Sequence, residues 1–207
     1  MRLNRRITKE NHMKIIGITG GIGTGKSTVL NLLKQEYHAY IVEADKLAHE
    51  LMLPGEAVYH RITDIFGTDI LNIDGTIDRN RLGAIVFKDA DSLRKLNEVV
   101  HPAVKQYILQ DMETKKKEGN VEYYVIEAAL LIEDGYKTIC DELWYIYVER
   151  EERIKRLIAG RGGSREKWEH VIGNQSSDDY YRMNCDYVVD NGSSFEHTIN
   201  IVKELLS

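Results

Sequence analysis

The chain has few cysteines, no long apolar run and no surplus of positive charge, and each shortage excludes something. Its two cysteines, Cys140 and Cys185, lie far apart without a C-x-x-C spacing. Buried structural thiols are therefore expected, rather than a redox pair or a metal site. No apolar stretch reaches the ~20 residues that a membrane-spanning helix needs. The first residues, MRLNRRITKENHM, are basic and polar and lack the apolar centre of a secretory signal. Residues 1–13 read as a flexible leader, with Met13 an alternative start. A net charge of −5 argues against a general nucleic-acid binder, which would carry a basic footprint. His49, His60, His101 and His170 show no metal-ligand spacing, and there is no internal repeat or low-complexity tract. The expectation is a reduced, cytoplasmic protein without a nucleic-acid or membrane partner, monomeric or weakly self-associating.

What is present is an alternation of short apolar runs with amphipathic stretches. KIIGIT (Lys14–Thr19) is β-branched and suits a strand buried on both faces. KSTVLNLLKQEY follows, with Val29, Leu30, Leu32 and Leu33 on one helical side. HAYIVEAD, YYVIEAALLIE, ELWYIYVE and DYVVDN supply four more strand-like runs. Such a rhythm predicts an α/β protein with a parallel five-stranded sheet wrapped by helices in three layers. The long, mostly helical stretch between the second and third runs exceeds what a crossover needs. It reads as an insertion, residues 45–118, forming one wall of a substrate cleft; a plain cap on the sheet is the simpler alternative. The core is then 14–44, 119–152 and 184–207, all within a single domain, 14–207.

GGIGTGKST (Gly20–Thr28) satisfies G-x-x-x-x-G-K-[ST]. Glycines allow the backbone to curl so that successive N–H groups face a phosphate, and the following helix adds its positive end. In such a loop Gly21, Ile22, Gly23, Thr24, Gly25, Lys26, Ser27 and Thr28 surround the nucleotide's phosphates. Lys26 reaches the β- and γ-phosphates, and the Ser27 hydroxyl ligates Mg²⁺. The loop lies between a predicted strand and a predicted helix, as this role requires.

VEADK places Glu43 and Asp45 at the carboxyl end of the second strand, on one side of the chain if Asp45 still belongs to the strand. Asp45 suits either of two roles: orienting and deprotonating an attacking hydroxyl, or capping the helix KLAHELM. Glu127, at the end of the third run, suits a Mg²⁺ site, directly or through water. Arg153, Lys155, Arg156, Arg161 and Arg165 cluster around a glycine-rich bend in RIKRLIAGRGGSREKW. Arginines there suit a closing lid, residues 153–183; a solvated helix face ending at Gly160 is the alternative.

Together these residues are similar to the dephospho-coenzyme A kinase family, from about Lys14 to Leu206. GITGGIGTGKST, the Ala44–Asp45 pair, LMLPGEA, DGTIDRNRLGAIVF, His101–Pro102, LLIE (Leu130–Glu133) and DYVVDN follow the family's order and spacing. The resemblance implies a P-loop kinase fold with a helical acceptor-binding part and a lid. It implies transfer of the γ-phosphate of ATP, with Mg²⁺, to the ribose 3′-hydroxyl of dephospho-coenzyme A, giving coenzyme A. It assigns Asp45, Lys26 and Arg156 to catalysis, and Arg156 and Asn191 to ATP. It assigns Asp45, His101 and Glu133 to the acceptor. The chain departs from the family where Glu43 and Glu127 replace Asp, and where Gly160 and Tyr181 replace arginine, with Arg161 and Arg182 one place later. A kinase for another nucleotide or small metabolite, and a nucleotide-binding regulatory protein with weakened catalysis, are the competing readings.

Overall fold

The first strand, β1 (Lys14–Thr19), is the centre of a five-stranded sheet, because every residue after Lys14 in it is buried. A computed structural model describes residues 13–207. The leader expected over residues 1–13 lies outside the described residues except for Met13, which is buried rather than part of a free tail. The remaining strands are β2 (Tyr40–Glu43), β3 (Tyr123–Glu127), β4 (Glu142–Tyr147) and β5 (Tyr187–Asp190), in the order β2-β3-β1-β4-β5. The pairs β1–β3, β1–β4 and β4–β5 are parallel. Chain connections leave β1 toward one edge first and the other edge later. The carboxyl end of β1 is therefore the switch point where sheets of this kind bind ligands.

The chain divides into two units. Residues 13–42 with Glu118–Ser207 form the first, and Glu43–Lys117 the second. In the first unit, α1 (Lys26–Glu36) buries Val29, Leu30, Leu32 and Leu33 in one core with Ile16, Ile18, Val125, Trp144, Ile146 and Val189. Each such aliphatic side chain contributes ~1.5–3 kcal/mol when withdrawn from water. The amino-terminal edge of the sheet is tied by carboxylates that precede the strands. Asp141 Oδ2 accepts the Ile15 N–H and Asp186 Oδ2 the Leu143 N–H, each at 2.7 Å.

The second unit contains α2 (Ala44–Leu51), α3 (Ala57–Phe66), α4 (Arg79–Val86) and nearly all of α5 (Ala90–Glu118). Asp78 caps α4 by accepting from the Asn80 and Arg81 amides. Helix α5 runs through His101 and Pro102 without interruption, so both lie in the helix interior. Among the described residues no helix is long and apolar enough to cross a membrane.

One buried polar atom stands out. Thr19 Oγ1, at the end of β1, is fully buried with no hydrogen-bond partner among the described residues. Burying an unmade hydrogen bond costs ~1–3 kcal/mol, and valine has the same shape without the hydroxyl. Thr19→Val should therefore stabilise the protein by about 1 kcal/mol. Denaturant unfolding would show the midpoint rising; a lowered midpoint would mean the hydroxyl has a stabilising role.

Candidate active site

The loop between β1 and α1 is shaped by glycine and held by side chains from distant segments. Gly25 stands at φ 78° immediately before α1 and offers that helix no side-chain cap. A Cβ at this position would be strained by the left-handed backbone and would collide with Asn191 Nδ2. The amides of the first turn of α1 thus form an anion-binding end with the helix dipole behind it. Thr24, fully buried, donates its hydroxyl to the Gly21 carbonyl at 2.9 Å. Asn191 Nδ2 donates to the Thr24 carbonyl at 2.8 Å, while Asn191 Oδ1 accepts from Thr198 Oγ1 at 3.0 Å.

Lys26 curls back over this loop. Its Nζ donates to the Gly20 carbonyl at 2.9 Å and lies 3.5 Å from Glu127 Oε1 at the end of β3. Arg156 belongs to α6 (Arg150–Arg161); its Nη1 donates to the Asn191 carbonyl at 3.0 Å and its Nε to Glu152 at 3.2 Å. Lys26 and Asn191 thereby hold the loop directly, with Glu127 beside Lys26 and Arg156 joined to them through Asn191. Ser27 and Thr28 are exposed on the first turn of α1. Glu133 is exposed and accepts from Ser176 Oγ at 3.2 Å, a contact within this unit.

Asp45 belongs to the second unit, and here the strand expectation needs correcting. β2 ends at Glu43, and Asp45 sits in the first turn of α2. It neither alternates with Glu43 on a strand nor caps the helix; Glu43 holds the cap position, with no side-chain cap bond. Glu43 instead pairs with Lys46 at 2.7 Å. One turn beyond Asp45 is His49. Burial and then the charge of Arg79 lower its pKa, opposed by Asp45, so the neutral ring is favoured. His101 lies half-buried on α5.

The expected lid region also differs in detail. Helix α6 continues through Gly160 to Arg161, and the bend falls at Gly162 and Gly163, with φ 66° and 89°. Arg161 is exposed, one helical place, or roughly 100°, from where Gly160 stands. After α7 (Arg165–Gly173), α8 (Asp178–Asn184) carries Tyr181, buried and stacked on Tyr145 with ring centroids 4.8 Å apart. Position 181 is a packing position here, and Arg182 lies over the Tyr147 ring at 4.6 Å. Arg165 is engaged by Glu151 at 2.6 Å and Glu169 at 2.7 Å. The cysteines are half-buried rather than fully buried; burial, aided by Asp186, pushes the Cys185 thiol up to about 12, which keeps it protonated.

Sequence reasoning missed Gln175 and Thr198 and misplaced Arg153. Arg153 is one of the most buried charged groups, not a lid residue: its Nε donates to the Ile22 carbonyl at 3.0 Å and its Nη2 to Gln175 Oε1 at 2.9 Å. No local pattern marks such contacts, since the partners are 131 and 22 residues away.

The sheet order and the loop at its switch point define the P-loop kinase class. Solved structures agree at the level of fold: a shikimate kinase from Bacteroides thetaiotaomicron superposes with TM-score 0.55 at 12% identity, covering 94% of this chain and 99% of its own. A closer match is TT1252 from Thermus thermophilus, with TM-score 0.77 at 29% identity over 94% of this chain and 97% of that one. Within the class, the dephospho-CoA kinase family model matches residues 14–197. The dephospho-CoA kinase of Corynebacterium diphtheriae is 37% identical, covering 93% of this chain and 96% of its own. That of Carboxydothermus hydrogenoformans is 39% identical over 90% and 89%. The chain belongs to the dephospho-CoA kinase family, whose members are kinases with a nucleotide co-substrate.

Proposed function

We propose that the protein transfers the γ-phosphoryl group of ATP to the ribose 3′-hydroxyl of dephospho-coenzyme A, yielding ADP and coenzyme A. The observation that carries this reading is the braced loop with Lys26 beside Glu127, in a chain matched to the family from residue 14 to 197. The loop amides and the start of α1 receive the β- and γ-phosphates, Lys26 neutralises charge that grows there, and Arg156, anchored on Asn191, approaches the same group. Asp45 orients the acceptor hydroxyl and accepts its proton as the hydroxyl oxygen bonds to phosphorus. The bond from phosphorus to the bridging oxygen breaks, and that oxygen keeps the electron pair on ADP. Asp45, His101 and Glu133 are the residues proposed to receive the acceptor. Within the expected 153–183 lid region, the exposed stretch around Gly162 and Gly163 closes as the lid, while Arg153 stays buried against Ile22.

Mg²⁺ suits the oxygen donors at this loop. Ser27 supplies a hydroxyl and Glu127 a carboxylate, and among the described residues no cluster of three His, Cys, Asp or Glu competes with them. Magnesium is usually held by one or two protein oxygens, substrate phosphates and water, so this sparse set fits. Bound there, the ion would offset phosphate charge during transfer. A cytoplasmic location and a monomer or weak oligomer complete the proposal.

Labelled ATP offered with a panel of acceptors tests the reading. Label should pass to dephospho-coenzyme A in preference to nucleoside monophosphates and other alcohols. Label on a nucleoside monophosphate alone would transfer the assignment to a different kinase. Binding of ATP with no acceptor labelled would favour the regulatory reading.

A further inference from the structure

Both backbone groups of one P-loop residue are taken by side chains from the far end of the chain. The Ile22 N–H donates to Gln175 Oε1 at 3.0 Å, and the Ile22 carbonyl accepts from Arg153 Nε at 3.0 Å. Arg153 Nη2 closes the triangle by donating to the same Gln175 oxygen at 2.9 Å. Behind it, Asp178 Oδ1 lies 3.9 Å from Arg153 Nη1 and accepts from the Tyr145 hydroxyl at 2.6 Å. Burial and that bond raise the Tyr145 pKa, so the phenol stays a donor.

The loop needs such support. Glycines stand at 20, 21, 23 and 25, and glycine loses the most conformational freedom when ordered. Thr24, Lys26 and Asn191 hold the loop at Gly20, Gly21, Thr24 and Gly25. The backbone of Ile22, in the span between, is held from α6 and the turn before α8, while its side chain packs against Ile154, Leu157, Trp168 and Ile172. The fit is close: a Cβ on Gly21 would meet the Arg153 guanidinium and approach Gln175 Oε1 to 2.8 Å. Arg153 is itself buried, and a buried guanidinium is tolerated only when its donors are used.

We propose that Arg153 and Gln175 are positioning residues that clamp Ile22 and hold the P-loop in its anion-receiving shape, so that α6 and the turn before α8 set nucleotide affinity through the loop. The clamp rests on the reading that this loop receives ATP. It extends that reading, because neither side chain has to touch the nucleotide.

Two variants at one position separate positioning from mere packing. Gln175→Leu keeps the bulk and removes the shared acceptor; Gln175→Glu keeps an oxygen for both donors. The measurements are ATP affinity by calorimetry and amide hydrogen exchange of the 20–28 segment without nucleotide. Gln175→Leu should weaken ATP binding about tenfold and speed exchange in the loop. Gln175→Glu should remain within about twofold of wild type on both. Unchanged exchange and affinity in Gln175→Leu, or equal damage in Gln175→Glu, would overturn the clamp. If Gln175→Leu does not fold, Arg153→Lys, which retains the charge but loses the Nε contact, is judged on the same readouts and should shift them in the same direction; no shift refutes the proposal. Failure of the wild-type protein to bind ATP would instead refute the functional reading, while the nucleotide-free exchange comparison would still judge the clamp.

Discussion

Asp45→Asn is expected to lower turnover by about a hundredfold to ten-thousandfold, the usual range for removing a general base, while ATP binds as before. Asparagine keeps the shape and one acceptor oxygen but cannot take a proton at neutral pH. Asp45 is exposed in the first turn of α2, so the exchange should leave folding intact. Losing a negative charge near the amino end of a helix costs only ~0.3–1 kcal/mol. Steady-state rates with saturating ATP and dephospho-coenzyme A, set beside calorimetric ATP affinity, give the two readouts. Wild-type turnover in this variant would remove Asp45 from the proposed mechanism, and an equal loss of ATP affinity would make it a structural residue.

Lys26→Met should cost about a hundredfold to a thousandfold in kcat, the scale of losing one preorganised group that stabilises transition-state charge. Unlike Asp45, Lys26 also holds the resting loop, through the Gly20 carbonyl, and neighbours the buried Glu127 carboxylate. Both kcat and ATP affinity should therefore fall, with some loss of stability. Thermal melts with and without ATP would separate these effects. If kcat/KM changed less than about tenfold, the ammonium would have no part in the transfer.

The central strands β1, β3 and β4 were legible because a strand buried on both faces must be apolar throughout; β2 and β5, at the sheet edges and mostly half-buried, stood out as short apolar runs between polar turns. The P-loop was legible for a related reason: glycine at φ 78° and a lysine just after it are local requirements written in adjacent residues. The start of α2 was not. Residues Glu43 to Asp45 satisfy strand alternation and helix initiation equally well, and only the path of the backbone chose the helix for Asp45. Position 181 shows the same limit. An arginine was expected there, but the flat face of Tyr145, 36 residues earlier in the chain, made the site a stacking surface for Tyr181.

By itself the sequence determined the parallel α/β architecture, the anion-receiving loop and the family, because each is carried by contiguous residues or by a series of short motifs in fixed order. Only the tertiary structure decided that Arg153 is buried against Ile22, that Gln175 accepts from both, and that Asn191 braces the loop from 167 residues away. Those contacts depend on where separate segments meet in space, and hydrogen bonds between groups so far apart leave no period or spacing in the chain to be read.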